Sequence, residues 1–259
     1  MKLGLQTFTV RALMKSPAQT EETFRALVGI GVRHVELAVD YLSFPFDATS
    51  AKMLADILAR CGISAESCQI KYKTASENPQ KTAEYMHILG AKYVTNSVID
   101  LKLLTKGRAA VERYCAQLNA LRENLLPHGI ELGHHNHHYE FLKYDGKSAL
   151  EWMAEYFTGD FVLDTYWCQK GGGNVLTLLE ALHGRVKIMH LRDYRIEPFG
   201  LLSGGKDAEI GNGNIPFAQI LKQAQAAGVL FGMVEQKTKT PMESVRFSWD
   251  TLKRITEGT

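Results

Sequence analysis

The sequence has few cysteines, almost no net charge and no long apolar run, and each absence excludes a class of protein. Four cysteines show neither C-x-x-C spacing nor the density of a disulfide framework, so we expect free thiols in a reducing compartment: Cys61, Cys68, Cys115 and Cys168. A formal net charge of +2 gives no reason to expect nucleic acid or an anionic membrane as a partner. No apolar run reaches the length of about 18 residues that a membrane helix needs, and the opening MKLGLQTFTV lacks the apolar core of a signal peptide. We therefore predict a cytoplasmic protein whose partners are small molecules or a further copy of itself.

Glycine-rich phosphate-binding motifs are also missing. No GxGxxG follows the first apolar run, and GxxxxGK[ST] does not occur. The stretches CQKGGGN (168–174) and SGGKDAEIGNGN (203–214) leave an anion site open, although glycines also serve as tight turns. We interpret both stretches as loops that enclose a substrate.

One unit recurs along the chain: a helix-like stretch, a glycine, then a short apolar or β-branched run that ends in polar residues. Glycine is favoured just past a helix C-terminus because it adopts the left-handed conformation without a Cβ clash. The strand-like runs begin with LGLQTFT (3–9) and continue as 31–37, 62–68, 90–96, 129–135, 159–165, 184–190 and 228–235. Apolar residues recur three or four apart in the helix-like stretches 20–31, 50–62, 80–90, 110–129, 174–184, 217–228 and 243–256.

Eight strands alternating with helices in 259 residues predict a (β/α)₈ barrel. A doubly wound sheet is the weaker alternative, since the dinucleotide fingerprint is missing. No Pro/Ser-rich linker divides the chain, so we predict one domain over residues 1–259.

Barrel enzymes place their chemistry at the C-terminal ends of the strands, so the residues that end each predicted strand are the candidate site. They are Gln6, Glu36, Glu66 with Gln69, Asn96, the stretch GHHNHHYEF (133–141), Asp164, His190 with Arg192 and Asp193, and Glu235 with Gln236.

Strands five to eight end in His/Glu, Asp, His and Glu, and a buried carboxylate without a partner is costly. A divalent cation would neutralise these carboxylates and use the imidazole; Mn²⁺ suits such ligands best, with Mg²⁺, Co²⁺ or Zn²⁺ as alternatives. A polar barrel mouth without metal also fits the pattern. Asp164 would then be only a helix N-cap, His190 a paired core histidine, and Glu36 a partner of Arg33 or of a lysine.

Five motifs together resemble the xylose isomerase-like barrels, the sugar phosphate isomerases and epimerases, over almost the whole chain: HNHHYEF (135–141), LDTYWCQKGGG (163–173), HLRDY (190–194), EIGNGNI (209–215) and VEQ (234–236). The resemblance implies one divalent metal held by two Glu, one Asp and one His. Carried over by motif, the ligands are Glu140, Asp164, His190 and Glu235.

The sequence departs from the better understood ketose epimerases at the fifth strand. Those enzymes have a glutamate on that strand, whereas here it reads Gly133-His134-His135-Asn136 and the next carboxylate is Glu140, as in an HNHxxEF branch. His135 or His137 would then take part of that role. Lys237 also stands where an acid is common in this branch.

The predicted chemistry is metal-assisted removal of a proton beside the ketone of a sugar, through an enediolate. Glu235 and Glu140 would move the proton, and His135 or His137 would relay protons to hydroxyls. Substrate contacts are expected from Gln6, Glu36, Asn136, Trp167, Lys170 and Arg192, although Trp167 is equally compatible with core packing.

Three other functions compete with an isomerase or epimerase. If the intermediate expels a β-substituent, the same site is a lyase or dehydratase of keto-sugars, keto-glycosides or inosose-like cyclitols. Hydrolysis of abasic DNA by a three-metal relative needs further His and Asp ligands and a basic face, which the charge balance does not offer. A sugar-binding barrel without catalytic activity is the remaining alternative.

Overall fold

Eight parallel strands close into a barrel in the computed structural model, which describes residues 1–97, 106–197 and 204–257. The barrel strands are β1 (Lys2–Gln6), β2 (His34–Ala38), β3 (Ser64–Gln69), β4 (Tyr93–Asn96), β5 (Glu131–His135), β8 (Asp160–Asp164), β9 (Val186–Leu191) and β12 (Phe231–Val234). Around the barrel the strand order is β1-β12-β9-β8-β5-β4-β3-β2, which confirms the predicted (β/α)₈ fold.

Two antiparallel hairpins sit on the loops that follow barrel strands. One follows β5 and pairs β6 (Lys143–Tyr144) with β7 (Lys147–Ser148), and the other follows β9 and pairs β10 (Asp193–Ile196) with β11 (Gly205–Ala208). The predicted loop 203–214 begins in the second hairpin, with residues 205–208 in β11, and continues past it; Ser203 lies outside the described residues.

The described helices are α1 (Pro17–Ile30), α2 (Ala48–Cys61), α3 (Tyr72–Glu77), α4 (Pro79–Leu89), α5 (Arg108–Leu125), α6 (Ala149–Tyr156), α7 (Thr165–Lys170), α8 (Val175–Ala181), α9 (Phe217–Ala226) and α10 (Pro241–Glu257). Side-chain caps explain where several of them begin. Ser16 accepts the backbone N–H of Gln19 ahead of α1, and Ser148 forms a capping box with Glu151 at the start of α6. Among the described residues, no helix is both long and apolar enough to cross a membrane.

The glycine pattern predicts the helix ends well, with one exception. Six of the seven glycines have positive φ, and Gly31 (φ 111°) and Gly62 (φ 66°) cap α1 and α2. Gly159 does not, because α6 already ends at an extended Phe157. A Cβ at Gly159 would lie 2.3 Å from the Phe157 ring and 2.7 Å from the Leu132 carbonyl oxygen, so close packing requires this glycine.

The first barrel strand ends at Gln6, the predicted strand-end residue within the strand-like run 3–9. The Gln6 side chain accepts the N–H of Phe8 at 2.6 Å and starts a 3₁₀ turn there. The helix α6 was not predicted, since its eight residues give too short an apolar pattern.

The barrel interior is a packed core below the site. Val162, Ile188, Phe231 and Met233 form a buried cluster separate from the core under the helices. The His190 side chain contacts Glu36 on β2, which is not a neighbour of β9, so it points into the barrel. Met233 is in register with His190, so its side chain points into the barrel as well. These four apolar side chains therefore lie below the polar residues that end the strands.

Candidate metal centre and substrate cavity

Four side chains from successive strand ends meet at the C-terminal end of the barrel. His135 ends β5, Asp164 ends β8, His190 lies near the end of β9 and Glu235 follows β12. Each offers one ligand atom, all within 4.8 Å of one another, and all four residues are buried. We call these four residues the ligand cluster.

Asp164 serves two purposes through its two carboxylate oxygens. Oδ1 accepts the backbone N–H of Trp167 at 2.8 Å and caps α7, so the N-cap interpretation is correct for this oxygen. Oδ2 faces the cluster, 3.4 Å from His135 Nε2. The capping bond thus fixes the carboxylate and leaves one oxygen available for a metal.

The facing side-chain atoms of His190 and Glu235 are placed as two ligands of one metal ion would be. His190 Nδ1 lies 2.9 Å from Glu235 Oε2, yet neither atom makes a hydrogen bond of acceptable geometry. His135 Nδ1 is likewise buried without a hydrogen-bond partner. Buried polar atoms without partners are uncommon, and the facing His190 and Glu235 atoms within the cluster fit a divalent cation with mixed nitrogen and oxygen ligands.

Burial and neighbouring charge set the protonation of the cluster. Burial raises the pKa of Asp164 to about 6, against the opposing charge of Arg192. Burial would lower the pKa of His190, but the carboxylates of Glu36 and Glu235 raise it to about 10. Although burial opposes it, Arg192 and His190 hold the pKa of Glu235 well below its usual range. A metal ion must therefore displace a proton from His190, as metal binding to imidazole generally does.

Arg192 bridges the ligand cluster to the β10–β11 hairpin. Its Nη1 lies 3.3 Å from Glu235 Oε1 and 3.5 Å from Asp164 Oδ2, while Nη2 donates to Asp207 on β11. Burial raises the pKa of Asp207 to about 6 in spite of this pairing. The hairpin thus brings a third carboxylate to the mouth of the barrel, beside those of Asp164 and Glu235.

A cavity of about 490 Å³ opens above the cluster. Polar groups line it from several strands: Gln69, Ser97, His135, His137, Lys170, Arg192, Lys206, Asp207, Glu235 and Lys237. Gly205 and four aromatic rings supply the remaining wall, the rings being those of Phe8, Tyr41, Tyr166 and Trp167. Ser97 Oγ, His137 Nδ1, Arg192 Nε and Asp207 Oδ1 are buried without hydrogen-bond partners. A ligand with several hydroxyls and an apolar ring face matches this lining.

Comparison with known proteins decides the family. The model of the family described as "Xylose isomerase-like TIM barrel" matches residues 24–246. The chain belongs to this family. No curated protein sequence gives a significant match.

Solved structures share the xylose isomerase-like fold along the whole chain. A sugar phosphate isomerase/epimerase from Parabacteroides distasonis ATCC 8503 is 18% identical with a TM-score of 0.80, covering 97% of this chain and 95% of its own. The IolI protein with a bound zinc atom is 17% identical with a TM-score of 0.72, covering 100% and 99%. The probable 3-DHS dehydratase AsbF of Bacillus anthracis is 11% identical with a TM-score of 0.72, covering 98% and 99%. At these identities the likeness establishes the fold.

The structure brings three of the four predicted metal ligands together and places the fourth elsewhere. Asp164, His190 and Glu235 belong to the ligand cluster, and His135 completes it. The Glu140 carboxylate instead accepts the His137 backbone N–H at 2.9 Å and lies 3.2 Å from His134 Nε2. Glu140 as a ligand therefore stays a prediction, while His135 occupies the fourth position.

The predicted substrate contacts divide into two groups. Trp167, Lys170 and Arg192 line the cavity. Gln6, Glu36 and Asn136 do not line it, because their polar atoms form hydrogen bonds with other residues at the C-terminal end of the barrel. Asn136 Oδ1, for example, accepts the backbone N–H of Asp164 at 2.9 Å.

The alternative that Glu36 pairs with Arg33 is wrong. The Arg33 guanidinium donates to the carbonyl oxygens of Val28 and Val32, just before the N-terminal end of β2. Glu36 is fully buried and contacts His190 instead.

Several cavity residues were not among the predicted contacts. Phe8 and Tyr166 each lie two residues past the end of a barrel strand, β1 and β8, so the strand-end rule could have found them. Asp207 gave no such signal, because it reaches the cavity through the antiparallel pairing of β10 with β11.

His137 makes the stability of the protein depend on pH. Burial and the neighbouring His135 lower its pKa to about 3, whereas an unfolded chain has a histidine pKa near 6.5. The unfolded state therefore binds the extra proton between these values, and stability falls as the pH drops below about 6.5, at up to about 1.4 kcal/mol per pH unit. We expect His137→Phe to flatten this acid limb in urea unfolding measured from pH 7 to pH 4. Equal slopes for the two proteins would contradict the assignment.

Proposed function

We propose that the protein is a divalent-metal-dependent isomerase or epimerase of a ketose or keto-sugar that acts through an enediolate. The observation that carries this proposal is the buried ligand cluster of His135, Asp164, His190 and Glu235 on the floor of a cavity lined with polar groups and aromatic rings. Its position at the C-terminal ends of the barrel strands is where barrel enzymes place their chemistry.

Two imidazoles and two carboxylates suit Mn²⁺, which we propose as the ion, with Mg²⁺, Co²⁺ and Zn²⁺ as alternatives. The zinc atom bound by the IolI neighbour supports a metal in a protein of this fold. When bound, such an ion would act as a Lewis acid that acidifies the carbon next to a ketone. Four free, buried cysteines agree with the reducing, cytoplasmic setting that we propose for the reaction.

Glu235 is the group that we assign to proton removal. Its carboxylate lines the cavity, and its depressed pKa keeps it ionised at neutral pH. Arg192 holds one carboxylate oxygen at 3.3 Å, which fixes the direction from which the proton is taken.

His137 and Trp167 are assigned to substrate binding. The neutral His137 ring has a buried, unpaired Nδ1 at the cavity, suited to a sugar hydroxyl. Trp167 contributes an aromatic face against which the apolar side of a sugar ring would pack.

Where the proton returns decides the product. Return to the neighbouring carbon by Glu235 gives an isomer, whereas an epimer requires a group on the opposite face. Apart from Glu235 and His135, the described residues that line the cavity include two groups of this kind, the His137 imidazole and the Asp207 carboxylate.

A lyase or dehydratase is the second candidate, and Asp207 is the observation that favours it. Its raised pKa, about 6, would let a protonated carboxyl donate to a departing hydroxyl or glycosidic oxygen. The likeness to a probable dehydratase adds support at the level of the fold.

Proton exchange at the carbon next to the ketone tests both candidates. The Mn²⁺-supplemented protein is incubated in D₂O with a panel of ketoses and keto-glycosides, and deuterium incorporation and products are followed by NMR. We expect incorporation with isomer or epimer formation; elimination products would establish the lyase. Neither exchange nor elimination, across the panel and with each of the four metals, would overturn the proposal.

A further inference from the structure

Glu36 lies below the ligand cluster and has no free carboxylate oxygen. Its Oε2 accepts the hydroxyls of Ser67 at 2.5 Å and Thr95 at 2.8 Å, and its Oε1 lies 2.8 Å from His190 Nε2. The side chain is fully buried and does not line the cavity. Contact with a substrate therefore does not account for this carboxylate.

The contact between Glu36 and His190 crosses the interior of the barrel. Glu36 is on β2 and His190 is on β9, and β1 and β12 stand between these strands. Ser67 and Thr95 come from β3 and β4, so three consecutive strands hold the carboxylate that meets one imidazole. Hydroxyl donors from two of these strands fix its orientation without help from the metal cluster.

The pairing determines which nitrogen of His190 can bind a metal. An ionised carboxylate only accepts hydrogen bonds, so His190 Nε2 must carry the proton that Glu36 accepts. The lone pair that remains available is on Nδ1, the atom that lies 2.9 Å from Glu235 Oε2 within the cluster. A carboxylate behind a metal-bound histidine orients the ring in this way in other metal sites.

We propose that Glu36 is a positioning residue that fixes the His190 ring, with Nε2 protonated and Nδ1 presented to the metal. This inference rests on the proposed metal centre and adds a role for a residue that contacts neither metal nor substrate. Ser67 and Thr95 belong to the same unit, because they hold the Glu36 carboxylate in place.

Metal affinity is the measurement that tests Glu36 without relying on turnover. Competition of Zn²⁺ and Co²⁺ with a chromophoric chelator gives the Kd, and thermal unfolding of the metal-free protein gives the stability. We expect Glu36→Met to weaken metal affinity about 10- to 100-fold. Glu36→Gln should lose less, since its amide oxygen still accepts the Nε2 proton, although more weakly than a carboxylate.

A spectroscopic signature separates positioning from general structural support. In the Co²⁺-loaded protein, the His190 Nε2–H should give a shifted, slowly exchanging NMR signal that moves or exchanges faster in Glu36→Gln. Glu66→Gln is the matched control, because Glu66 pairs with His34 at 2.6 Å in the same barrel, outside the ligand cluster. It should leave both the Kd and the signal unchanged.

Failure of this inference is distinguishable from failure of the metal centre. If wild-type protein binds metal and Asp164→Asn does not, the centre stands. In that case unchanged affinity in Glu36→Met overturns the role of Glu36, as does a metal bond at Nε2. Should Glu36→Met not fold, an unchanged Kd and an unchanged N–H signal in Glu36→Gln overturn it equally.

Discussion

Replacing Asp164 with Asn will abolish metal binding and lower kcat/KM about a thousandfold, which corresponds to about 4 kcal/mol of transition-state stabilisation. Asn still accepts the Trp167 N–H and is as good an N-cap as Asp, so α7 and the fold should persist. What is lost is the negative oxygen that faces His135 in the cluster. Metal content by elemental analysis and activity after chelation and re-addition of Mn²⁺ measure both effects.

Asp160→Asn is the matched control for this prediction. Asp160 begins the strand that Asp164 ends, so the change removes a carboxylate from β8 at the opposite end of the barrel. We expect it to retain one metal per chain. Retention of one metal per chain by Asp164→Asn would show that the cluster is not the metal site.

The same measurement decides between His135 and Glu140. His135→Ala removes a member of the ligand cluster and should release the metal. Glu140→Gln keeps an oxygen for the His137 N–H and lies outside the cluster, so it should retain the metal. The reverse result would restore Glu140 as the ligand that the HNHxxEF motif implied.

The barrel and the strand ends could be predicted from the sequence because both depend on local signals. Glycine marks where helices end, the apolar runs mark the strands, and parallel strands bring their C-terminal ends to one side. Asp164, His190 and Glu235 follow from that reasoning. The choice between His135 and Glu140 cannot be made in this way. The two residues are five positions apart, at a strand end and in the turn after it, and only the backbone geometry defines where their side chains point.

Contacts across the barrel could not be predicted in the same way. Glu36 and His190 are 154 positions apart, and nothing in either local sequence indicates that they meet. Asp207 depends on the register of a hairpin. Both cases require the packed structure, since strand order and side-chain direction together determine which groups meet.

The EIGNGNI motif left an anion site open, and the structure shows which anion its backbone N–H groups bind. A glycine-rich loop after the seventh barrel strand is a common phosphate site of barrel enzymes, although we interpret this loop as one that encloses a substrate. Asp193 supplies the anion instead. Its carboxylate accepts the N–H groups of Gly211 at 2.9 Å, Gly213 at 3.0 Å and Ile215 at 3.1 Å, as well as that of Tyr194 at 2.8 Å.

Replacing Asp193 with Ala will therefore lower the free energy of unfolding by about 3 to 5 kcal/mol, the range typical when a buried charged partner is removed. Asp193 is fully buried, so the N–H groups of the loop would lose their acceptor without gaining water in its place. Close packing adds to the constraint, since a Cβ at Gly213 would lie 2.3 Å from Asp193 Oδ1. Urea unfolding monitored by circular dichroism measures the change.

Asp250→Ala is the comparison, because this exposed aspartate on α10 should change stability by no more than about 0.5 kcal/mol. Asp193→Asn should fall between the two, as one amide oxygen replaces only part of the carboxylate. If the free energies of unfolding of Asp193→Ala and the wild-type protein differ by less than about 1 kcal/mol, which is below the usual cost of removing such a group, the carboxylate does not hold the loop. By holding this loop, Asp193 fixes the end of the segment in which Asp207 lies, and Asp207 pairs with Arg192. Arg192 in turn supports the orientation of Glu235. The motif therefore contributes to the site by positioning these side chains, whereas its backbone N–H groups are already occupied.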